Sequence, residues 1–125
     1  MHMLISLIIS FILLSNEMGK FSGERQLLIF GQPNTQQVVQ QLELLKKDAT
    51  GVKERDIIVT LVAKENSLWK KYSVDASKPL TVILVGKDGG EKHRTNDVIT
   101  AQQLYTIVDG MPMRQAEMRD KRPRQ

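Results

Sequence analysis

From Glu24 onward, apolar runs rich in β-branched residues alternate with stretches of helical period, and that alternation restricts the fold more than any other property of the chain. Arg25-Gln-Leu-Leu-Ile-Phe-Gly31 carries an unbroken apolar core, Leu27 to Phe30, closed by the turn signal Gly31-Gln32-Pro33-Asn34. This is the pattern of a buried strand. Asn34 or Thr35 then stands where a helix cap is needed, and Val38, Val39, Leu42, Leu45 and Ala49 recur at helical spacing. Lys46 and Lys47 suit the negative end of that helix, and Gly51 is expected to close it. Asp56-Ile-Ile-Val-Thr-Leu-Val-Ala63 is apolar nearly throughout, as a parallel strand covered on both faces must be. Strand, helix and strand make one crossover unit, for which the right-handed form is the rule.

Between Lys64 and Lys78, Asn66 can cap a short helix with Leu68, Trp69 and Tyr72 on one side. Trp69 has two readings: a platform for a ligand, or an apolar body sealing one edge of the core with its N–H near water. After Pro79, Leu80 to Gly86 forms a third strand; Lys87-Asp88-Gly89-Gly90 supplies a tight hairpin, and Glu91 to Thr95 returns as a polar strand. The glycines lack the spacing of a phosphate-binding loop and join two strands instead of opening a helix. Thr100-Ala-Gln-Gln103 makes a capping box for a helix with Leu104, Ile107, Val108 and Met111 on one face. Gly110 and Pro112 interrupt it, and Met113 to Met118 begin another turn or two. Met111, Met113 and Met118 are expected as adaptable core filler, since no cysteine or nearby histidine completes a soft-metal set.

Strand, helix, strand, short helix, strand, tight turn, strand, helix is the order of a thioredoxin-like α/β domain, a three-layer sandwich whose mixed central sheet has about four strands flanked by helices. The chain contains no cysteine, however. Thiol-disulfide exchange and thiol peroxidase chemistry both require an attacking thiolate, so this chain cannot perform either. His93 lies between Lys92 and Arg94 in the polar return strand, where a solvated position is expected, and one histidine makes no metal site. No catalytic, cofactor-binding or metal-ligating residue is assigned on these grounds. Asp56, Asp88 and Asp109 are far apart and can converge only through the fold.

Leu4 to Leu14 is almost unbroken in its apolar character and shorter than the about 20 residues that a spanning helix needs. Residues 1–20 are therefore expected to be a signal peptide or an uncleaved N-terminal anchor, residues 21–119 the folded domain, and residues 120–125 a basic disordered tail. The expected address is exported, periplasmic or secreted, with membrane contact only through an uncleaved N-terminal segment. The net charge is +4, concentrated near the C-terminus in Arg114, Arg119, Lys121, Arg122 and Arg124. Those charges either meet an anionic polymer or lipid or keep a solvated end soluble, and no aromatic residue is interleaved to stack on nucleic-acid bases.

Val85-Gly-Lys-Asp-Gly-Gly-Glu-Lys-His-Arg94, followed by Ile107-Val-Asp-Gly-Met-Pro-Met-Arg-Gln-Ala-Glu-Met118, resembles the signature of the bacterial domain of unknown function 4174 family. The resemblance runs from Arg25 to about Arg119 and marks Gly86, Lys87, Asp88, Gly89, Gly90, Arg94, Asp109, Met111, Pro112, Met113, Arg114, Glu117 and Met118 as motif residues. It implies a peroxiredoxin-related fold and export, and no established reaction. Where a thioredoxin would place its cysteine pair, residues 31–37 read GQPNTQQ, and Pro79 stands earlier relative to the Gly89 turn than a thioredoxin cis-proline. Two roles for the motif charges remain open. Arg114 reaches Asp109 or the hairpin and pins the C-terminal segment, or Lys87, Arg94 and Arg114 form an exposed cluster for an anionic ligand. The corresponding functions are a non-catalytic binding or scaffold module of the cell envelope, and a non-thiol enzyme or anion-binding protein. The partner is an unknown envelope protein or anionic ligand.

Overall fold

In a computed structural model that describes residues 23–120, four strands form one mixed sheet. The strands are β1 (Arg25–Phe30), β2 (Ile57–Val62), β3 (Thr81–Val85) and β4 (Glu91–Thr95), in the spatial order β2-β1-β3-β4. β1 and β2 run parallel with Leu27 beside Val59, whereas β3 lies antiparallel to both β1 and β4. Residues 81–85 therefore lie next to residues 26–30 in one sheet. The expected N-terminal segment, residues 1–20, and most of the expected tail lie outside the described residues; Asp120 ends the last helix. Among the described residues, no helix is long and apolar enough to cross a membrane.

The period-two geometry of the strands separates two cores. Leu27 and Ile29 join Val59, Leu61, Val82 and Leu84 on one face, beneath α1 (Gln36–Lys47), α2 (Ala49–Glu54) and α4 (Ala101–Asp109). Leu28 and Phe30 join Val62, Ile83 and Val85 on the other face, covered by the short α3 (Leu68–Lys71) and its flanks. Because both faces are covered, the central strands have no polar stripe. Trp69 meets Phe30 edge-on at 5.2 Å, and its Nε1–H donates to the carbonyl of exposed Ala63 at 3.0 Å.

Local signals behave unevenly. The Thr100–Gln103 capping box forms in full, and Pro112 takes the first position of α5 (Pro112–Asp120). Thr35 is the cap of α1, yet its hydroxyl donates back to the Gln32 carbonyl and caps no amide. α1 stops at Lys47, so Ala49 is exposed in a separate helix and Gly51 lies inside α2. Gly51 is there for space: a Cβ would stand 2.5 Å from the Tyr105 hydroxyl oxygen. At the hairpin Gly89 adopts φ of +84°, Gly86 N–H donates to the Gly90 carbonyl, and the Asp88 carboxylate accepts from the Gly90 N–H and pairs with Lys92. Met113 is 49% exposed and is not core filler; Met111 packs against the main core.

Candidate functional site

Arg25 opens β1, Asp56 immediately precedes β2 and Lys87 follows β3, so the antiparallel arrangement of β3 brings all three to one end of the sheet. The last turn of α4 contributes Asp109 to that end, α5 contributes Arg114 and Glu117, and the end of α2 contributes Glu54 with Arg55 just beyond it. Their side chains form one continuous charge cluster. Glu117 receives both arms of the Arg25 guanidinium at 3.3 and 3.1 Å and the Lys87 ammonium at 2.7 Å. Lys87 also donates to Asp56 at 2.9 Å. Asp109 receives Arg55 through two hydrogen bonds of 3.0 Å and Arg114 through one of 3.2 Å. Arg114 donates further to the Glu54 carbonyl, and Arg25 to the Arg55 carbonyl at 2.7 Å.

The cluster is deeply set. Arg25 is 1% exposed and Arg114 2%. Two charges removed from water this far are tolerated only with opposite charge and hydrogen bonds around them, which the geometry supplies. Every buried side-chain nitrogen and oxygen among the described residues has a hydrogen-bond partner. The Arg55 guanidinium is also stacked 3.7 Å above the Tyr105 ring. Burial and the neighbouring Asp48 push the Tyr105 hydroxyl up to about 12.

The Arg55 hydrogen bonds hold the Asp109 carboxyl below its ordinary range against the effect of burial, with help from Arg114. Burial raises the Glu117 carboxyl, but hydrogen bonds from Lys87 and Arg25 outweigh it and leave that group low as well. A carboxyl that titrates lower in the folded chain than in the unfolded one stabilises the fold above the unfolded value, about 4. That contribution disappears as pH falls through the folded value. Melting temperature is therefore expected to be level near neutrality and to drop below about pH 5, with a shallower drop in Asp109→Asn. A wild-type curve flat from neutrality to pH 3 would contradict the role given to these carboxylates.

The geometry brings Lys87, Asp109, Arg114 and Glu117 of the motif together and settles how the charges pair. Arg114 pins α5 through Asp109, as the first of the two sequence readings requires. The exposed Lys87/Arg94/Arg114 cluster does not form. Arg94 stands beside Ile83 on the opposite face, paired with Glu91 at 2.8 Å and donating to the Tyr72 carbonyl at 2.7 Å. Lys87 and Arg114 are turned inward, and Asp88 stays in its own hairpin. Of the three distant aspartates, Asp56 and Asp109 join the cluster. Arg25, Glu54 and Arg55 are the members to which the sequence reading gave no role; the available signal was charge at the start of both parallel strands, Arg25 in β1 and Glu54-Arg55-Asp56 just before β2.

Elsewhere, an open cavity of about 430 Å³ between β4 and α4 is lined by His93, Thr95, Asp97, Ile99, Gln103 and Ile107, among others. It contains none of the clustered charges, and His93 is half-buried on its wall instead of fully solvated. Among the described residues, no group of three or more His, Asp or Glu side chains could hold a metal ion.

Fold and cluster together define a small α/β domain with a mixed four-stranded sheet, fastened at one end by internal ion pairs. A family model described as a domain of unknown function (DUF4174) matches residues 18–117, and the chain belongs to that family. A solved structure described as that of a malarial protein is similar, with 21% identity and a TM-score of 0.55, over 69% of this chain and 94% of that one. At that identity the likeness concerns the fold alone. A search of curated proteins finds no match.

Proposed function

We propose that the domain is a thioredoxin-like, exported binding or scaffold module whose motif charges hold its architecture and carry out no reaction. The observation that carries this reading is the convergence of Lys87, Asp109, Arg114 and Glu117 on one another at the amino-terminal end of the parallel strands. In open α/β sheets ligands bind outside the carboxyl ends of the strands, so the motif stands at the end opposite the usual site of chemistry. The thioredoxin-like assignment is supported by the order β2-β1-β3-β4, by the parallel first pair and by helices on both faces. At the carboxyl end of β1, Gly31 approaches so closely that a Cβ would stand 2.7 Å from the Pro79 carbonyl oxygen. Residues 31–37, the stretch in which a redox member of such a fold would carry its cysteine pair, start at this close contact and contain no thiol. The export assignment rests on the apolar run Leu4 to Leu14.

A photo-cross-linking residue at exposed Gln32 or Asn34, in the full chain expressed in its own cells, tests the proposal. A discrete protein adduct in the envelope fraction is the expected result. Recovery of the chain in the cytosolic fraction without an adduct would overturn it.

A further inference from the structure

α5 is docked through charge far more than through apolar burial. Its one buried residue is Arg114, and its first apolar residue after Pro112, Met113, faces solvent. Besides Arg114, α5 turns the Glu117 carboxylate toward the body of the domain, and the groups that receive it come from outside the helix. Arg25 comes from the start of β1 and is held in place by its bond to the Arg55 carbonyl; Lys87 comes from the hairpin after β3 and is held by Asp56. The two cations place a guanidinium fork across both carboxylate oxygens and an ammonium against one of them, which is the geometry of bidentate carboxylate recognition. Glu117 is 21% exposed, so water reaches the pocket's mouth.

The charges around this pocket are unevenly secured. Lys87 keeps Asp56 if Glu117 leaves, and Arg55 and Arg114 keep Asp109. Arg25 has Glu117 as its sole carboxylate partner among the described residues. Departure of Glu117 would leave a buried guanidinium without a counter-charge, and such a group strongly favours any anion that can take the vacated position. We propose that Arg25 and Lys87 form a carboxylate-recognition site in which Glu117 is the resident internal ligand, displaced by an acidic segment of a partner protein. This deepens the binding-module reading by giving the partner's chemistry. Because Glu117 is tethered, it competes at high effective concentration, and a partner must add contacts of its own to displace it. The last turn of α5 then reports occupancy: Glu117 is seated when the site is empty of partner and turned out when the site is taken, while Arg114 keeps the start of the helix on Asp109.

The test uses the full chain. Glu117→Ala opens the pocket, and its melting is compared at pH 7 in sodium acetate and in sodium chloride of equal ionic strength. A saturable rise of about 4 °C or more in acetate is expected, with almost none in wild type and a smaller rise in Glu117→Ala combined with Lys87→Gln, which keeps the Arg25 fork but loses the ammonium. Equal melting of Glu117→Ala in the two salts overturns the proposal while leaving any cross-linked adduct, and the broader reading, in place. Should that variant fail to fold, wild-type hydrogen exchange over residues 112–120 is followed with hexaglutamate and with hexaglutamine. Exchange at least about twofold faster with hexaglutamate is expected, and equal rates overturn the proposal.

Discussion

Arg25→Met is expected to lower the free energy of unfolding by about 3 kcal/mol, near the lower end of the range for removing one partner of a buried ion pair. The Arg25 side chain is 1% exposed, and methionine of similar length leaves the Arg55 carbonyl without its 2.7 Å donor and Glu117 without its guanidinium. The loss stays near the lower end because Glu117 retains Lys87 at 2.7 Å and some access to water, so its charge is not stranded. The double variant Arg25→Met with Glu117→Leu removes both charges together and is expected to recover part of the loss, a coupling of about 1–3 kcal/mol in the cycle. Urea denaturation measures this directly: the midpoint should fall with an unchanged slope. A midpoint for Arg25→Met within error of wild type would mean that the cluster does not fasten the fold.

What could be read from the residues, and what could not, follows from how local each cause is. Leu27 to Phe30 and Ile57 to Val62 announce themselves because burial on both sheet faces requires continuous apolar, β-branched runs. The hairpin is readable because Gly89 must adopt a positive φ, and the Thr100–Gln103 box because its two bonds span three residues. The end of α1 is not readable. Gly51 resembles a helix stop in sequence, yet it lies inside α2 because the Tyr105 hydroxyl, 54 positions away in sequence, needs the volume of its Cβ. Met113 misleads for a related reason: α5 is seated by Arg114 and Glu117, so apolar spacing along it does not mark a buried face. The motif charges could be recognised as a set, but their pairing depends on strand order. Only once β3 lies antiparallel to β1 do Lys87 and Arg25 stand at the same end of the sheet.

Gln41→Leu is expected to cost about 2–6 kcal/mol even though leucine nearly matches the volume it replaces. Gln41 is 0% exposed, at the position three residues after Val38 and four before Leu45 where α1 would be expected to carry an apolar side chain. Its amide spans to the segment between β4 and α4, donating from Nε2 to the Ile99 carbonyl at 2.9 Å and accepting from the Ile99 N–H at Oε1 at 2.7 Å. Leucine fills the space without a cavity but leaves both backbone groups buried and unpaired, at about 1–3 kcal/mol for each group. Gln41→Glu separates hydrogen bonding from packing. It keeps the acceptor but sets a carboxylate against the Ile99 carbonyl, and on protonation it regains a donor in the place of Nε2. Its deficit relative to wild type should therefore shrink as pH is lowered, whereas that of Gln41→Leu should not. Chemical denaturation of both variants at neutral and mildly acid pH gives the comparison, and parallel deficits at the two values would assign the effect to packing alone. Because Ile99 also lines the cavity beside His93 and Asp97, losing the Gln41 clamp should raise hydrogen exchange over residues 96–100 before it loosens the sheet.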